Sequence, residues 1–346
     1  MKAAIHRGKD KIQIEEVAVP GVPRNHVLVD TKVIGICGTD LHRYHGKWPQ
    51  PEFAVGHEFA GVVTELGKEV SRVKVGDHVC VECFSHCGKC TFCQAGLYNL
   101  CENRVYLGRT AHAGYSEYSL VHESSLFQIP KELTFEEGAM VEPLSVALRA
   151  FLKTEAKGTD SLAILGGGTI GLLCLAVAKA LGVGKTLITV KYARQTEIAE
   201  QLGADHLIDV SKGDTERKIK AIVGNVGVDA CIDTVSSERT YSEALAITRA
   251  AGKVCFAGGN IQAVHVDLSP ILHKELNLVG SLCYGYSGIK KDFDTTIGLI
   301  ASGKVSPTSL ITHRFPLEKT EEAFRVAADK TTGSIKVMVS QVERRV

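Results

Sequence analysis

The sequence predicts an α/β protein in two parts, a mostly-β N-terminal part followed by a doubly wound parallel sheet. Short strand-like runs that end in glycine or aspartate turns fill residues 1–150. From about residue 160, strand-like runs alternate with segments of helix length, the pattern of a parallel sheet. A glycine-rich turn joins the first of these strands to the first of these helices.

The predicted elements follow from hydrophobic runs and the turn residues that bound them. In the first part, strands are predicted at residues 27–34, 61–67 and 73–79. In the second part, strands are predicted at 161–165, 187–190, 230–233, 254–257 and 276–280, with helices at 170–181 and 195–202. After about residue 286 the alternation stops. We therefore divide the chain into 1–150, 151–285 and a return segment, 286–346, that packs on the first part.

Composition excludes several classes of function. A chain of 346 residues suggests two domains, and 45% apolar with 23% charged residues is ordinary for a globular protein. A net charge of +1 gives no basic surplus for nucleic acid or an anionic membrane. No apolar stretch has the length of a membrane span, and no secretory signal is evident. We expect a cytoplasmic protein whose eleven cysteines are metal ligands and free thiols.

Four cysteines form a metal-binding motif in a lobe at about residues 83–103. Their spacing is C-x2-C-x2-C-x7-C, and four thiolates close a tetrahedral zinc shell without an open position, so this zinc is structural. The ligands are Cys87, Cys90, Cys93 and Cys101. Cys83 is out of register and is predicted to stay unbound. The other cysteines lie in apolar runs and are predicted to be core: Cys80, Cys174, Cys231, Cys255 and Cys283.

A second metal site is predicted from residues that are distant in the sequence. Cys37 offers a thiolate, His57 an imidazole, and Glu58 and Glu142 offer carboxylates. Taken singly, these are equally a turn cysteine, a hydrogen-bonded core histidine and an N-cap glutamate. Taken together, a mixed sulfur, nitrogen and oxygen set with room for water or substrate is what a catalytic zinc requires. We therefore expect two zinc ions per chain.

The glycine-rich turn predicts a dinucleotide site. Gly166 permits the tight turn, Gly168 lets the backbone approach a pyrophosphate, and Gly171 lets the helix pack close to the strand. The helix then begins at Thr169 and Ile170, whose free N–H groups face the phosphates. A strand before the turn, a helix after it and a second strand about 20 residues on give this motif its required context.

The end of the second strand indicates NADP rather than NAD. An NAD site needs an acid there for the ribose 2′-hydroxyl, and none lies between residues 187 and 196. Lys191 and Arg194 are present instead and can pair with a 2′-phosphate. The alternative is that both are solvated surface charges.

Several ordered motifs resemble those of the zinc-dependent medium-chain alcohol dehydrogenases over essentially the whole chain. They are Cys37-Gly-Thr39-Asp40, Gly56-His57-Glu58-Phe-Ala-Gly61, Val75-Gly-Asp77, the four-cysteine lobe, Gly114-Tyr-Ser-Glu-Tyr118, Glu142-Pro-Leu, the glycine turn and Leu202-Gly-Ala. The resemblance implies a GroES-like catalytic domain split around a Rossmann domain, with the active site in the cleft between them. Within the family, Gly-His-Glu followed by Glu-Pro-Leu is similar to the polyol branch, which includes sorbitol, butanediol and threonine dehydrogenases.

The resemblance also implies a role for each site residue. Cys37, His57 and Glu58 would bind the catalytic zinc, and Glu142 would bind it directly or hold its water. Thr39 and His42 match a hydroxyl and an imidazole that relay the proton of the alcohol in the threonine members of the family.

Two departures from the family pattern concern substrate and cofactor. The loop at residues 44–51, which is expected to line the substrate cleft, is shorter than in the sorbitol and threonine enzymes. The missing acid after Val190 departs from the family's usual NAD preference.

The resulting hypothesis is a zinc-dependent dehydrogenase that exchanges a hydride between a secondary alcohol or polyol and NAD(P), acting on small molecules as a homo-oligomer, dimer or tetramer. The main competing hypothesis is a sugar-alcohol phosphate dehydrogenase. Its phosphate site would be drawn from Arg109, Arg149, Lys290 and Lys291, each of which is also explained as a surface charge. A non-catalytic NADP- or zinc-binding protein of this fold, and a zinc hydrolase or lyase, are two further hypotheses for the same residues.

Overall fold

The computed structural model describes residues 1–259 and 263–341. The chain forms two compact units. Unit 1 contains residues 1–142 together with the chain from Phe293 onward, and unit 2 is Pro143–Asp292. Within the described residues, no helix combines the length and apolar character needed to cross a membrane.

Strands and helices occur along the whole described part of the chain. The strands are β1 (Lys2–His6), β2 (Ile12–Glu16), β3 (His26–Gly35), β4 (Glu58–Leu66), β5 (His78–Val81), β6 (Phe84–Ser85), β7 (Val105–Tyr106), β8 (Tyr118–His122), β9 (Leu126–Gln128), β10 (Ser161–Leu165), β11 (Lys185–Val190), β12 (His206–Asp209), β13 (Val228–Asp233), β14 (Thr248–Phe256), β15 (Asn277–Gly280), β16 (Tyr286–Ser287), β17 (Lys290–Lys291), β18 (Ile311–Pro316) and β19 (Lys336–Ser340). The helices are α1 (Gly38–Tyr44), α2 (Thr91–Gln94), α3 (Phe135–Ala139), α4 (Val141–Thr154), α5 (Thr169–Ala180), α6 (Ala193–Gln201), α7 (Thr215–Val223), α8 (Glu238–Ile247), α9 (Ser269–His273), α10 (Asp292–Ala301) and α11 (Thr320–Ala328).

Unit 1 is built on a seven-stranded sheet that uses both ends of the chain. Its order is β18-β19-β3-β4-β5-β9, with β8 also paired to β3. The C-terminal strand β19 lies antiparallel to β3 and parallel to β18. Buried side chains from distant segments share one core, including Ile5, Phe59, Tyr115, Phe324 and Val337. Unit 1 therefore needs its last strands to complete both its sheet and its core.

Unit 2 is a continuous stretch of chain around a six-stranded parallel sheet. The order β12-β11-β10-β13-β14-β15 places β10 beside β13, where the direction of chain progression reverses. Ligands of such sheets bind at the carboxyl ends of the strands at this reversal. The helices α5, α6, α7 and α8 pack on the sheet, and β10 and β13 are almost wholly buried.

Most predicted elements of unit 2 are observed within a few residues. The strand predicted at 161–165 matches β10, and the helices predicted at 170–181 and 195–202 match α5 and α6 with a shift of one or two residues. In unit 1, the strand predicted at 73–79 is wrong for most of its length. Residues 73–77 form a turn in which Asp77 accepts a hydrogen bond from the backbone N–H of Lys74, and β5 begins only at His78.

Candidate active site and metal centres

The glycine turn after β10 has the close backbone packing that the sequence predicts. Gly166 has φ +112°, a region that favours glycine, and its N–H donates to Thr189 Oγ1 at 2.7 Å. A Cβ on Gly171 would lie 1.7 Å from the carbonyl oxygen of Gly166, so only glycine lets α5 start this close to the strand. The turn lies at the reversal point of the sheet, beside Thr234 after β13.

The start of α5 is open in the way a phosphate site requires. Gly168 caps the helix without a side-chain hydrogen bond, and a Cβ there would meet no atom within 4 Å. Thr169 and Ile170 form the first turn of the helix. The N-terminal N–H groups of α5 therefore face a space that a pyrophosphate can enter.

The two cations predicted to select NADP lie just after β11, where Lys191 is exposed and Arg194 is half-buried. Lys191 Nζ lies 5.4 Å from the ring centroid of Tyr192, and Arg194 forms a 2.8 Å ion pair with Glu197. Asp209 lies opposite Val190 on β12, but its carboxylate accepts hydrogen bonds from the backbone and hydroxyl of Ser211.

The four predicted lobe cysteines converge on a space of zinc size. Their ligand atoms all lie within 4.8 Å of one another, and Cys101 Sγ is 3.8 Å from Cys90 Sγ and 3.6 Å from Cys87 Sγ. Tetrahedral zinc with Zn–S bonds near 2.3 Å requires sulfur atoms about 3.8 Å apart. The donor set therefore fits a closed, structural zinc.

Backbone N–H groups prepare this lobe for thiolates. N–H groups of Lys89 and Cys90 lower the pKa of Cys87 to about 6, because a hydrogen bond favours the charged form. Burial and the neighbouring Cys101 and Cys90 raise the pKa of Cys93 to about 12. A metal that binds all four sulfurs would displace the proton from Cys93.

The second predicted cluster is also assembled. Cys37 is the N-cap of α1. Glu58 is the first residue of β4 and pairs with Gly35 at the end of β3, and His57 directly precedes the strand. The Cys37, His57 and Glu58 ligand atoms lie within 4.8 Å of one another. A thiol, an imidazole and a carboxylate at this spacing fit a zinc ion with a position left for another ligand.

Burial and nearby carboxylates shift the pKa values of Cys37 and His57 in this cluster. Burial, then Glu58 and Asp40, raise the pKa of the Cys37 thiol to about 12. Burial opposes a charge on His57, but Glu142, Asp40 and Glu58 outweigh it and raise the pKa of its imidazole. The buried carboxylates therefore favour a positive charge in this site.

Glu142 is near this cluster but is not one of the three residues that share the 4.8 Å spacing. It lies in the first turn of α4 with 5% of its surface exposed, and its charge acts on His57.

Thr39 and His42 lie three residues apart on α1 and so point to the same side of the helix. Thr39 Oγ1 is buried and has no hydrogen-bond partner within the described part of the chain. His42 is half-buried, with its ring 5.4 Å from that of Trp48. Burial, then Lys47 and His45, lower the pKa of His42.

Lys336 on β19 also belongs to the site, although no sequence motif indicates it. Its Nζ lies 2.5 Å from Glu58 Oε2 and donates to the backbone carbonyl of Ile36 at 3.1 Å. Only 2% of either side chain of this ion pair is exposed. A lysine inside the apolar run 335–339 was the one available signal, because a charge in a buried strand needs a partner.

Two secondary predictions change. Cys80, Cys174, Cys231 and Cys255 are buried as predicted, whereas Cys283 is only half-buried and has φ +51°.

Of the four cations proposed for a phosphate site, Arg149 is buried and paired with Asp292 at 3.2 Å, so its charge is already committed. Arg109, Lys290 and Lys291 are exposed or half-buried.

Two family models match the chain. Residues 23–131 match the alcohol dehydrogenase GroES-like domain, and residues 169–302 match the zinc-binding dehydrogenase domain.

Curated relatives and a solved structure match nearly the full length. Sorbitol dehydrogenase of Bacillus subtilis (strain 168) is 33% identical, over 98% of this chain and 97% of that protein. D-arabitol-phosphate dehydrogenase of Enterococcus avium is 34% identical, over 96% and 94%. A zinc-binding dehydrogenase of Sinorhizobium meliloti 1021, solved with NADP bound, has a TM-score of 0.88 and 30% identity, with 98% of each chain covered.

Proposed function

The chain belongs to the zinc-dependent alcohol dehydrogenase family and is an oxidoreductase, and on this premise we propose that it oxidises a secondary alcohol or polyol to the ketone with NADP or NAD. The observation that carries this proposal is the convergence of Cys37, His57 and Glu58 donor atoms within 4.8 Å. A glycine turn built for a dinucleotide supports it. Hydride transfer to a nicotinamide requires both kinds of site, and this chain carries both.

We propose that Cys37, His57 and Glu58 hold a catalytic zinc and that Glu142 binds it directly or through water. When bound, zinc supplies a Lewis acid that polarises the substrate oxygen. The chain contributes the surroundings. Glu58 and Glu142 are 2% and 5% exposed, and burial strengthens the electrostatic interactions of the site. A second, structural zinc is proposed at the four lobe cysteines.

Thr39 and His42 are proposed to carry the alcohol proton to solvent. The buried, unpaired Thr39 Oγ1 can accept a hydrogen bond from a substrate hydroxyl and donate its own proton onward. His42 is one helical turn further and half-buried, and burial lowers its pKa, which favours the neutral imidazole. A neutral ring nitrogen can then accept the proton.

We propose NADP as the preferred cofactor. Lys191 and Arg194 lie at the strand end where an acid would select NAD. Lys191 is exposed, and the half-buried Arg194 has 41% of its side chain exposed, so a 2′-phosphate could reach both. Arg194 would exchange Glu197 for the phosphate, which costs little because exposed ion pairs contribute only about 0–1 kcal/mol. The solved relative with NADP shows that this fold accommodates that cofactor in another protein.

The substrate is proposed to be an uncharged secondary alcohol or polyol. The named sorbitol dehydrogenase relative favours this class. The arabitol-phosphate dehydrogenase relative keeps a sugar-alcohol phosphate as the second candidate. The commitment of Arg149 to Asp292 removes one of the cations proposed to bind that phosphate.

We further propose a homo-oligomer, a dimer or tetramer. The strand β15 lies at an edge of the parallel sheet with β14 as its paired neighbour, and Leu278 on it is 38% exposed. An apolar sheet edge is a surface that a second copy can cover.

The test combines a substrate screen with two cysteine variants. Polyols, vicinal diols, threonine and sugar-alcohol phosphates are screened with NAD and NADP, with cofactor reduction as the readout. Cys37→Ser should abolish turnover and lower the zinc content by one per chain while the fold is retained. The matched variant Cys93→Ser should lower the zinc content equally but reduce stability more than chemistry. Near-normal kcat in Cys37→Ser would overturn the proposal.

A further inference from the structure

Lys336 links the two segments that carry the proposed zinc ligands. Its ammonium contacts Glu58 Oε2 at 2.5 Å and the carbonyl oxygen of Ile36 at 3.1 Å, and Ile36 directly precedes Cys37. One side chain from the C-terminal strand thus fixes the carboxylate of one ligand and the backbone beside another.

The contact between Lys336 and Glu58 is a buried ion pair, for which the surrounding strands leave room. Both side chains are 2% exposed, and burying a lysine is costly unless its charge is paired. A Cβ at Gly35 would lie 2.6 Å from Glu58 Oε2 and 3.3 Å from the Lys336 chain, so the absence of a side chain at Gly35 makes room for the pair. The strand pairing of Gly35 with both Glu58 and Met338 sets this register.

An ammonium group that contacts a ligand carboxylate weakens the binding of a metal ion by that carboxylate. Partners that accept from a ligand histidine raise its basicity and strengthen metal binding. Lys336 does the reverse, because it donates to Glu58 Oε2 and so engages one of the two carboxylate oxygens that a metal could use. Its positive charge also repels a dication held by residues next to it.

We propose that Lys336 is a positioning residue that holds Glu58 back from full coordination of the zinc, and so preserves a position at the metal for the substrate oxygen. This inference rests on the proposed function, since it requires a catalytic zinc at Cys37 and His57. Lys336 does not touch the substrate. It acts through Glu58 alone, and its role is to weaken one ligand of an otherwise complete set.

Removal of the Lys336 charge should make zinc bind more tightly, not less. In Lys336→Met, Glu58 has no cation other than the metal, so it should bind the zinc more closely. Zinc release to a chelator should slow. The kcat should fall by roughly tenfold, the lower end of the range for residues that contact metal ligands. The metal-free variant should melt at a lower temperature than metal-free wild type, since Glu58 is then buried without a partner.

Two further variants separate charge from scaffolding. Lys336→Gln keeps a donor for the carbonyl of Ile36 but carries no charge, so it should behave like the methionine variant. Lys336→Arg restores the charge and should return zinc release and kcat toward wild type. Lys32→Met is the matched control, since Lys32 lies on β3 of the same sheet and pairs with Asp30 at 2.8 Å, but is 37% exposed. It should change neither quantity.

The measurement is the time course of zinc release into a chelator, followed with a zinc indicator. The release phase that disappears in Cys37→Ser identifies the catalytic site. If no phase disappears in that variant, the proposed function itself fails. If the phase exists but Lys336→Met and Lys336→Gln release zinc as fast as wild type or faster, only the inference about Lys336 is overturned. If the methionine variant does not fold, the glutamine and arginine variants decide the question.

Discussion

His6 is a buried histidine whose polar atoms are unsatisfied. It lies on β1 with 2% of its surface exposed, and neither ring nitrogen has a hydrogen-bond partner in the described residues. Its ring packs edge-on against Phe324 with centroids 5.6 Å apart. Burial lowers the pKa of His6, opposed by Asp40 and reinforced by Arg43.

Replacing His6 with phenylalanine should stabilise the protein. A buried unpaired polar group costs about 1–3 kcal/mol, and Phe fills a similar shape without one. Wild type should also lose stability as pH falls below the ordinary histidine pKa of 6.5. In that range His6 binds a proton in the unfolded chain but stays neutral in the folded protein, where its pKa is lowered. The loss should stop once the pH passes the lowered pKa of the folded state. Urea unfolding of both proteins at pH 8 and 5.5 tests this, and a less stable variant at pH 8 would contradict it.

Lys191 and Arg194 are the residues on which the proposed preference for NADP depends. Replacing Lys191 and Arg194 by alanine should weaken NADP binding and leave NAD binding nearly unchanged. A charge-assisted hydrogen bond is worth about 1.5–3 kcal/mol. Solvent screening at the exposed Lys191 and the half-buried Arg194 reduces this to roughly tenfold in Kd. Raised salt should narrow the gap between the two cofactors in wild type.

Titration calorimetry with each cofactor measures the effect. Lys185→Ala is the control, because Lys185 is an exposed lysine at the opposite end of β11. Equal loss of both cofactors in the double variant, or a preference of wild type for NAD, would refute the NADP assignment.

At the residue scale, the sequence predicts ligands better than it predicts their partners. Cys37, His57 and Glu58 stand in short motifs, and the structure brings them together. Lys336 is 278 residues from Glu58, and no local pattern encodes that contact. Only the pairing of β19 with β3 creates it.

At the element scale, the β10–α5 turn offers a contrast between two glycines. Gly171→Ala should destabilise the protein by about 1–3 kcal/mol and lose cofactor binding, because the new Cβ collides with the Gly166 carbonyl oxygen at 1.7 Å. Gly168→Ala should change stability by less than about 1 kcal/mol, since nothing lies within 4 Å of the new Cβ. Its cofactor affinity should nevertheless fall by roughly tenfold, equivalent to about 1.4 kcal/mol, because the methyl group fills the space left for the pyrophosphate.

Thermal melts and cofactor titrations of the two glycine variants, side by side, provide the measurement. A Gly168→Ala protein with unchanged affinity for both cofactors would show that the pyrophosphate does not approach this turn.

Strands and helices could be predicted from the sequence where a local pattern of apolar residues determines them. The predicted fold class, a GroES-like domain with a Rossmann domain, is confirmed by the two family matches and the sheet order. Apolar strands followed by helices produce an unambiguous pattern in unit 2. In unit 1 the short antiparallel strands take their partners from distant segments, and turns such as 73–77 carry apolar residues like strands do. Periodicity alone could not separate them.

At the scale of the whole molecule, the two units differ in continuity, and this predicts how they behave when separated. Residues 143–292 contain every strand of the parallel sheet, so this fragment should fold alone and bind NADP. Residues 1–142 lack β18, β19 and the core residues Phe324 and Val337, so that fragment should not fold. Circular dichroism and cofactor titration of each fragment test this, and a cooperatively folding 1–142 fragment would contradict it.

The place of β19 in its sheet also sets an order of events during synthesis. A ribosome adds about 5–20 residues per second, so roughly 14 to 56 s separate the translation of Glu58 from that of Lys336, 278 residues later. Throughout this interval the edge of β3 that β19 will cover remains unpaired, and an open strand edge is a surface on which nascent chains associate. The sheet of unit 1 can therefore close only late in synthesis, after its C-terminal strand has been translated.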